Sequence, residues 1–191
     1  VLISITGPSG IGKGFVKEAL LGFFPEIQEL PWITTRPKRG NEPNRMFVSS
    51  TQFQEMTTRG ELILVQQLFG HSYGLQKCLL EAEADQILLT ELQIENLLEL
   101  SSLEICPVAI GLIPASLEFL RQRLELYRAT EATAEIELRL QAAETEIQQI
   151  LKNHKLFLAV IEISKATEEN VSQLVFEILT PHLKGECNYE S

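Results

Sequence analysis

Val1-Leu2-Ile3-Ser4-Ile5-Thr6-Gly7-Pro8-Ser9-Gly10-Ile11-Gly12-Lys13-Gly14, continuing through Phe24, is the stretch on which the fold turns. Its first six residues are a β-branched apolar run with the character of a buried strand. From Ile11 onward Ile11, Phe15, Val16, Ala19, Leu20 and Phe23 recur at helical spacing. A glycine-rich turn between strand and helix is the context of a phosphate-binding loop. Glycines let backbone N–H groups converge on an anion, the helix N-terminus adds a favourable dipole, and Lys13 can reach outer phosphates. One position departs from G-x-x-x-x-G-K-[ST]: Gly14 stands where a hydroxyl would face magnesium.

A chain of 191 residues suits one domain with a substantial core. Its apolar runs fall short of the roughly 18 residues of a spanning helix, which argues against membrane insertion and for the cytoplasm. Cys78, Cys106 and Cys187 are odd in number, far apart and without metal-ligand spacing, so free thiols are expected. A net charge of −10 disfavours nucleic-acid polymers and anionic membranes as partners. Against that background Arg36, Lys38, Arg39 and Arg45 form a local positive focus opposed only by Glu42, suited to a small phosphorylated ligand.

Beyond the first helix the spacing predicts a strand at 32–35, the basic loop 36–43, a brief strand at 46–48, and a helix capped by Ser49 or Ser50. A strand over 61–69, a turn at Gly70-His71-Ser72-Tyr73-Gly74 and a short helix over 75–84 follow. Ile87 to Thr90 reads as a buried strand with Glu91 at its carboxyl end, where ligands gather in open parallel sheets. Further strands at 106–113 and 156–163 alternate with a helix running through Leu98 and with helices from Ser116, over 134–152 and over 170–183. The alternation predicts an α/β three-layer sandwich around a central parallel sheet with right-handed crossovers.

These residues resemble the guanylate kinase family of P-loop nucleoside monophosphate kinases. The resemblance rests on Gly7 to Lys13, Thr34-Thr35-Arg36-Pro37-Lys38-Arg39, Phe47-Val48-Ser49, Gly60-Glu61 and Gly70 to Gly74. Arg121 to Glu125, Arg128 and Arg139 to Ala143 extend it. It implies a single domain over 1–183 with a core at 1–35 and 86–183, a small acceptor-binding lobe at 36–85 and a short lid at 127–134. Residues 184–191 would be a loose tail. Gly7, Pro8, Ser9, Gly10, Ile11, Gly12, Lys13 and Gly14 would hold the phosphates of ATP, the co-substrate. Arg36, Arg39 and Tyr73 would bind the acceptor's phosphate, and Glu91 would touch the acceptor or recover part of a metal-linked role. Lys13, Arg128 and Arg139 would neutralise charge on the transferring group. By itself, Arg139 four residues after Glu135 reads equally as a helix-surface ion pair. Arg128 reads equally as a solvated loop charge, and Tyr73 as a packed turn residue.

Several positions depart from the family's pattern. Gly14 and Leu89 lack oxygens near the magnesium place, so Mg2+ would be held through phosphates and water. Trp32 and Leu64 stand where guanine is usually read, the basic loop is short, and Ser164 replaces an asparagine near the donor base. Three readings follow: transfer from ATP to a nucleoside monophosphate such as GMP, transfer to another acceptor such as ribose bisphosphate, or a binding module that has lost catalysis.

Overall fold

Strand β1 (Leu2–Thr6) runs directly into the glycine-rich loop and then α1 (Lys13–Phe23) in the structure, a computed structural model. The structure describes residues 1–38, 40, 42, 44–68, 70–80, 86–127, 132–167 and 169–183. The next elements are β2 (Ile27–Glu29), β3 (Trp32–Thr34), β4 (Arg45–Phe47), α2 (Ser50–Thr58), β5 (Leu62–Leu68), β6 (His71–Gln76) and α3 (Lys77–Leu80). They are followed by β7 (Ile87–Glu91), α4 (Ile94–Ser102), β8 (Val108–Pro114), α5 (Leu117–Tyr127), α6 (Thr133–Lys152), β9 (Ala159–Ile163) and α7 (Val171–Leu183).

Five strands form a fully parallel sheet in the order β2-β7-β1-β8-β9. Side chains alternate across it, as the strand repeat requires. Ile3, Ile5, Leu89, Ile110 and Leu112 pack with Val16 and Leu20 of α1 and Val175 and Leu179 of α7. Leu2, Leu88, Ala109 and Val160 belong to the opposite cluster, with Leu97 and Leu100 of α4 and Ile150 of α6. Apolar surface on both faces of a sheet is buried only by helices on both faces, and the expected three-layer α/β architecture follows. Phe176 of α7 closes one layer, its ring centroid 5.0 Å from both Phe23 and Phe24.

A second, mixed sheet in the order β4-β3-β6-β5 sits between β2 and β7 in the chain. Two expectations are corrected here. The segment predicted as a turn at Gly70 to Gly74 is strand β6 from His71, pairing with β5 on one side and β3 on the other. Ladder partners on both edges override the glycine signal, and Gly74 lets Leu62 and Phe53 approach to 3.4 Å from where a Cβ would lie. Leu75 and Gln76 continue that strand, so the helix begins at Lys77; residues 81–85 lie outside the described residues. Strand β2, unassigned in the sequence, forms the sheet edge beside β7.

The lid reading at 127–134 falls largely on residues 128–131, and the tail reading on 184–191, both outside the described residues. Cys78 and Cys106 are free and exposed. Among the described residues no helix is long and apolar enough to cross a membrane.

Candidate functional site

The loop after β1 is shaped by contacts that only glycine permits. A Cβ on Gly7 would lie 2.2 Å from the carbonyl oxygen of Leu112. One on Gly10, at φ +89°, would lie 2.6 Å from Leu124 Cδ2. Gly12, in the left-handed region, precedes α1 without a side-chain cap, and the first turn carries no acidic residue. The positive end of the helix is therefore left for an anion. Lys13 Nζ donates to the carbonyls of Gly7 and Pro8 and so lies across the loop.

Two arginines from the α5–α6 layer reach the same loop. Arg139 Nη1 donates to Ser9 Oγ at 3.1 Å, and Arg123 Nε donates to the Gly10 carbonyl at 3.1 Å. Arg123 also stacks over Phe119 and Tyr127, with its guanidinium carbon 5.7 and 5.3 Å from the ring centroids. The Arg139 contact reaches 130 residues back along the chain, so it is more than a pair with Glu135 one turn earlier on its own helix.

A cavity of about 910 Å³ opens beside the loop and brings together Lys13, Arg36, Tyr73, Glu91 and Arg139. Arg39 and Arg128, the remaining predicted arginines, lie outside the described residues. Arg36 is buried; its Nη1 donates to the Pro37 carbonyl at 2.8 Å and its Nη2 to Glu42 Oε1 at 2.5 Å. Its guanidinium lies 5.6 Å from the Phe47 ring centroid. Tyr73 enters from β6, in register with Thr34 of β3 and Gln66 of β5.

Sequence reasoning named Glu91 but missed the side chains grouped with it, Lys17, Glu29 and Asn44. Lys17 Nζ lies 2.6 Å from Glu29 Oε1 and 3.2 Å from Glu91 Oε1, and Asn44 Nδ2 donates to Glu29 Oε2 at 2.5 Å. All four line the cavity. Burial disfavours the Lys17 ammonium, but Glu91 and Glu29 outweigh it and hold its pKa above the ordinary lysine value. One signal was available: Lys17 follows Lys13 by four residues and shares its helix face. Deeper in, burial pushes the Glu146 carboxyl above the usual carboxylate range, with Lys13 opposing the shift and Glu95 adding to it. Glu146 Oε1 is buried without a hydrogen-bond partner among the described residues.

The departures from the family's pattern have structural forms. Leu64 is fully buried with Leu30, Trp32 and Leu75, at φ 54° in an irregularity where the β5–β6 register shifts. Trp32 Nε1 is engaged by Thr90 Oγ1 at 3.0 Å. Neither side chain presents an unengaged hydrogen-bonding group to the cavity.

A protein-held Mg2+ does not fit the residues present. Gly14 offers no oxygen, and a Cβ there would lie 4.0 Å from a Glu91 carboxylate that Lys17 already pairs. Leu89 is buried and apolar. Among the described residues no group of three metal-ligating side chains forms.

Comparison with known proteins accounts for this arrangement. The guanylate kinase family model matches residues 1–176. A guanylate kinase of Clostridioides difficile is 34% identical over 176 residues, 88% of this chain and 84% of that protein. One from Symbiobacterium thermophilum is 32% identical over 174 residues, 85% and 82% of the two chains. A crystal structure of guanylate kinase from Anaplasma phagocytophilum superposes with a TM-score of 0.68 over 96% of this chain and 86% of that one. At 23% identity it speaks for the fold. A family match over residues 1–176, joined to a glycine-rich loop beside a cavity lined by Lys13, Arg36 and Arg139, makes the chain a member of the guanylate kinase family of phosphotransferases.

Proposed function

We propose that the protein transfers the γ-phosphoryl group of ATP to a nucleoside monophosphate, with GMP as the acceptor: GMP + ATP gives GDP + ADP. The observation that carries this reading is the single cavity joining Lys13, Arg36, Tyr73 and Arg139 beside a glycine loop. Arg36 and Tyr73 hold the acceptor phosphate, and with Arg39 they make the acceptor end of the 36–85 lobe. A phosphate oxygen of the acceptor attacks the γ-phosphorus in line. The bond to the β–γ bridging oxygen breaks, and ADP leaves with that electron pair.

The nucleophile is already anionic, so no strong base is required, and the protein's contribution is alignment and fixed positive charge. Lys13 and Arg139, both bonded to the loop, supply that charge, and Arg128 adds to it from the 127–134 lid. Magnesium enters with the nucleotide, held by phosphates and water, because Gly14 and Leu89 offer it nothing.

A second reading, transfer to a sugar bisphosphate, draws support from one observation: Leu64 and the Trp32 indole N–H are both turned away from base recognition. ADP release measured with ATP, magnesium and GMP, dGMP, AMP, UMP or ribose bisphosphate separates the readings. Stimulation by GMP supports the first, and stimulation by the sugar bisphosphate alone supports the second. Silence with every acceptor rejects both and favours a binding module.

A further inference from the structure

Lys17 is an ammonium held half inside a ligand cavity with more acid around it than it needs. Lys17 and Glu91 both line the cavity, their side chains 17% and 29% exposed, with Glu29 beside them at 16%. An ammonium has three donors. Glu29 Oε1 and Glu91 Oε1 take two, which leaves a third among the described residues for a ligand acceptor. Both Glu29 oxygens are engaged, one by Lys17 and the other by Asn44. Glu29 and Asn44 therefore position Lys17, whereas Glu91 keeps acceptor capacity on its second oxygen.

The cavity wall thus presents a donor beside an anionic acceptor. From these contacts we infer that Lys17 and Glu91 together read the acceptor's nucleobase, and that the class they select is a base with a lactam edge: a ring carbonyl next to a ring N–H. The carbonyl accepts from Lys17 and the N–H donates to Glu91. Guanine adds an exocyclic amino donor, giving the carboxylate a second charge-assisted hydrogen bond. Adenine inverts the edge. Its amino group faces the Lys17 donor and its bare ring nitrogen faces the carboxylate, so neither bond forms and like groups oppose each other.

Base reading is thereby carried by α1 and β7, with β2 as support, instead of by β3 and β5, where Trp32 and Leu64 are apolar or engaged. The raised pKa of Lys17 keeps the donor charged at neutral pH. The inference rests on the nucleotide-kinase reading, which supplies the phosphate anchor at Arg36 and Tyr73.

Calorimetric titration of the intact chain with GMP, IMP, UMP and AMP tests it. GMP and IMP are expected to bind at least about tenfold more tightly than AMP, and Lys17→Met is expected to erase most of that ratio by weakening GMP and IMP. The charge-balanced Lys17→Met/Glu29→Gln variant should behave alike and covers the case in which the single variant folds poorly. Lys17→Arg, which keeps the cation, should restore part of the preference. Equal weakening of GMP and AMP, or an unchanged ratio, would overturn the assignment and leave Lys17 a structural ion pair. Failure of GMP to bind while ribose bisphosphate binds would overturn it too. ATP binding with no acceptor turned over, alongside an intact GMP preference, would instead reject the kinase reading and keep the base reader.

Discussion

Arg36 and Glu42 form a 2.5 Å ion pair against the wall of the cavity, with the Arg36 side chain only 9% exposed. A guanidinium this buried needs an anion, and a phosphate bound there, as proposed, would have to compete with Glu42 for it. Glu42→Gln removes the competitor's charge. The variant is expected to bind acceptor phosphate about threefold or more tightly by titration and to melt lower in its absence. Weaker phosphate binding would mean that Glu42 aims Arg36 and does not occupy its place.

Glu146 gives a pH-dependent prediction. Its carboxyl keeps its proton to higher pH in the native state than in the unfolded chain, because burial disfavours the charged form. The stability it contributes is therefore complete below the ordinary carboxylate value and is lost as pH rises through the raised native value. Glu146→Gln, fixed in the neutral form, should melt higher than the parent at pH 7, by about 2–4 °C for each kcal/mol relieved. The difference should close near about pH 4. A difference that does not change with pH would remove burial as its cause.

Two glycines separate backbone necessity from backbone cost. Gly7→Ala places a methyl group 2.2 Å from the Leu112 carbonyl, joining a loop distortion to a strand displacement. It should destabilise the chain by about 3 kcal/mol or more in urea and weaken nucleotide binding. Gly22 lies inside α1, with nothing within 4 Å of a new Cβ. Gly22→Ala should stabilise the chain by about 0.5–1 kcal/mol.

The strand–glycine loop–helix unit was legible because its signal is local: strand, glycines, lysine and helix follow one another within the first 24 residues. Arg36 stood out for the same reason, as a cation in a loop with few acids, and the structure places it in the cavity wall paired with Glu42. Strand β6 was not, since Gly70 and Gly74 signal a turn and only the partners β3 and β5 make the segment a strand. Nor was the pairing of Lys17 with Glu91, which joins residues far apart in sequence across α1 and β7. Leu64 carried a legible departure but not its consequence, because burial at a register shift depends on how β5 meets β6. Arg123 lay in a quoted segment without a role until its contact with the Gly10 carbonyl was seen.

Acceptor-stimulated release of ADP from ATP, measured for the parent chain and for Lys13→Ala, tests phosphoryl transfer at the loop most directly. The expected result is GMP-dependent release that falls by about 10²–10³ in the variant while its melting temperature is retained. Release that ignores every phosphorylated acceptor, or that survives the loss of the Lys13 ammonium undiminished, would contradict it.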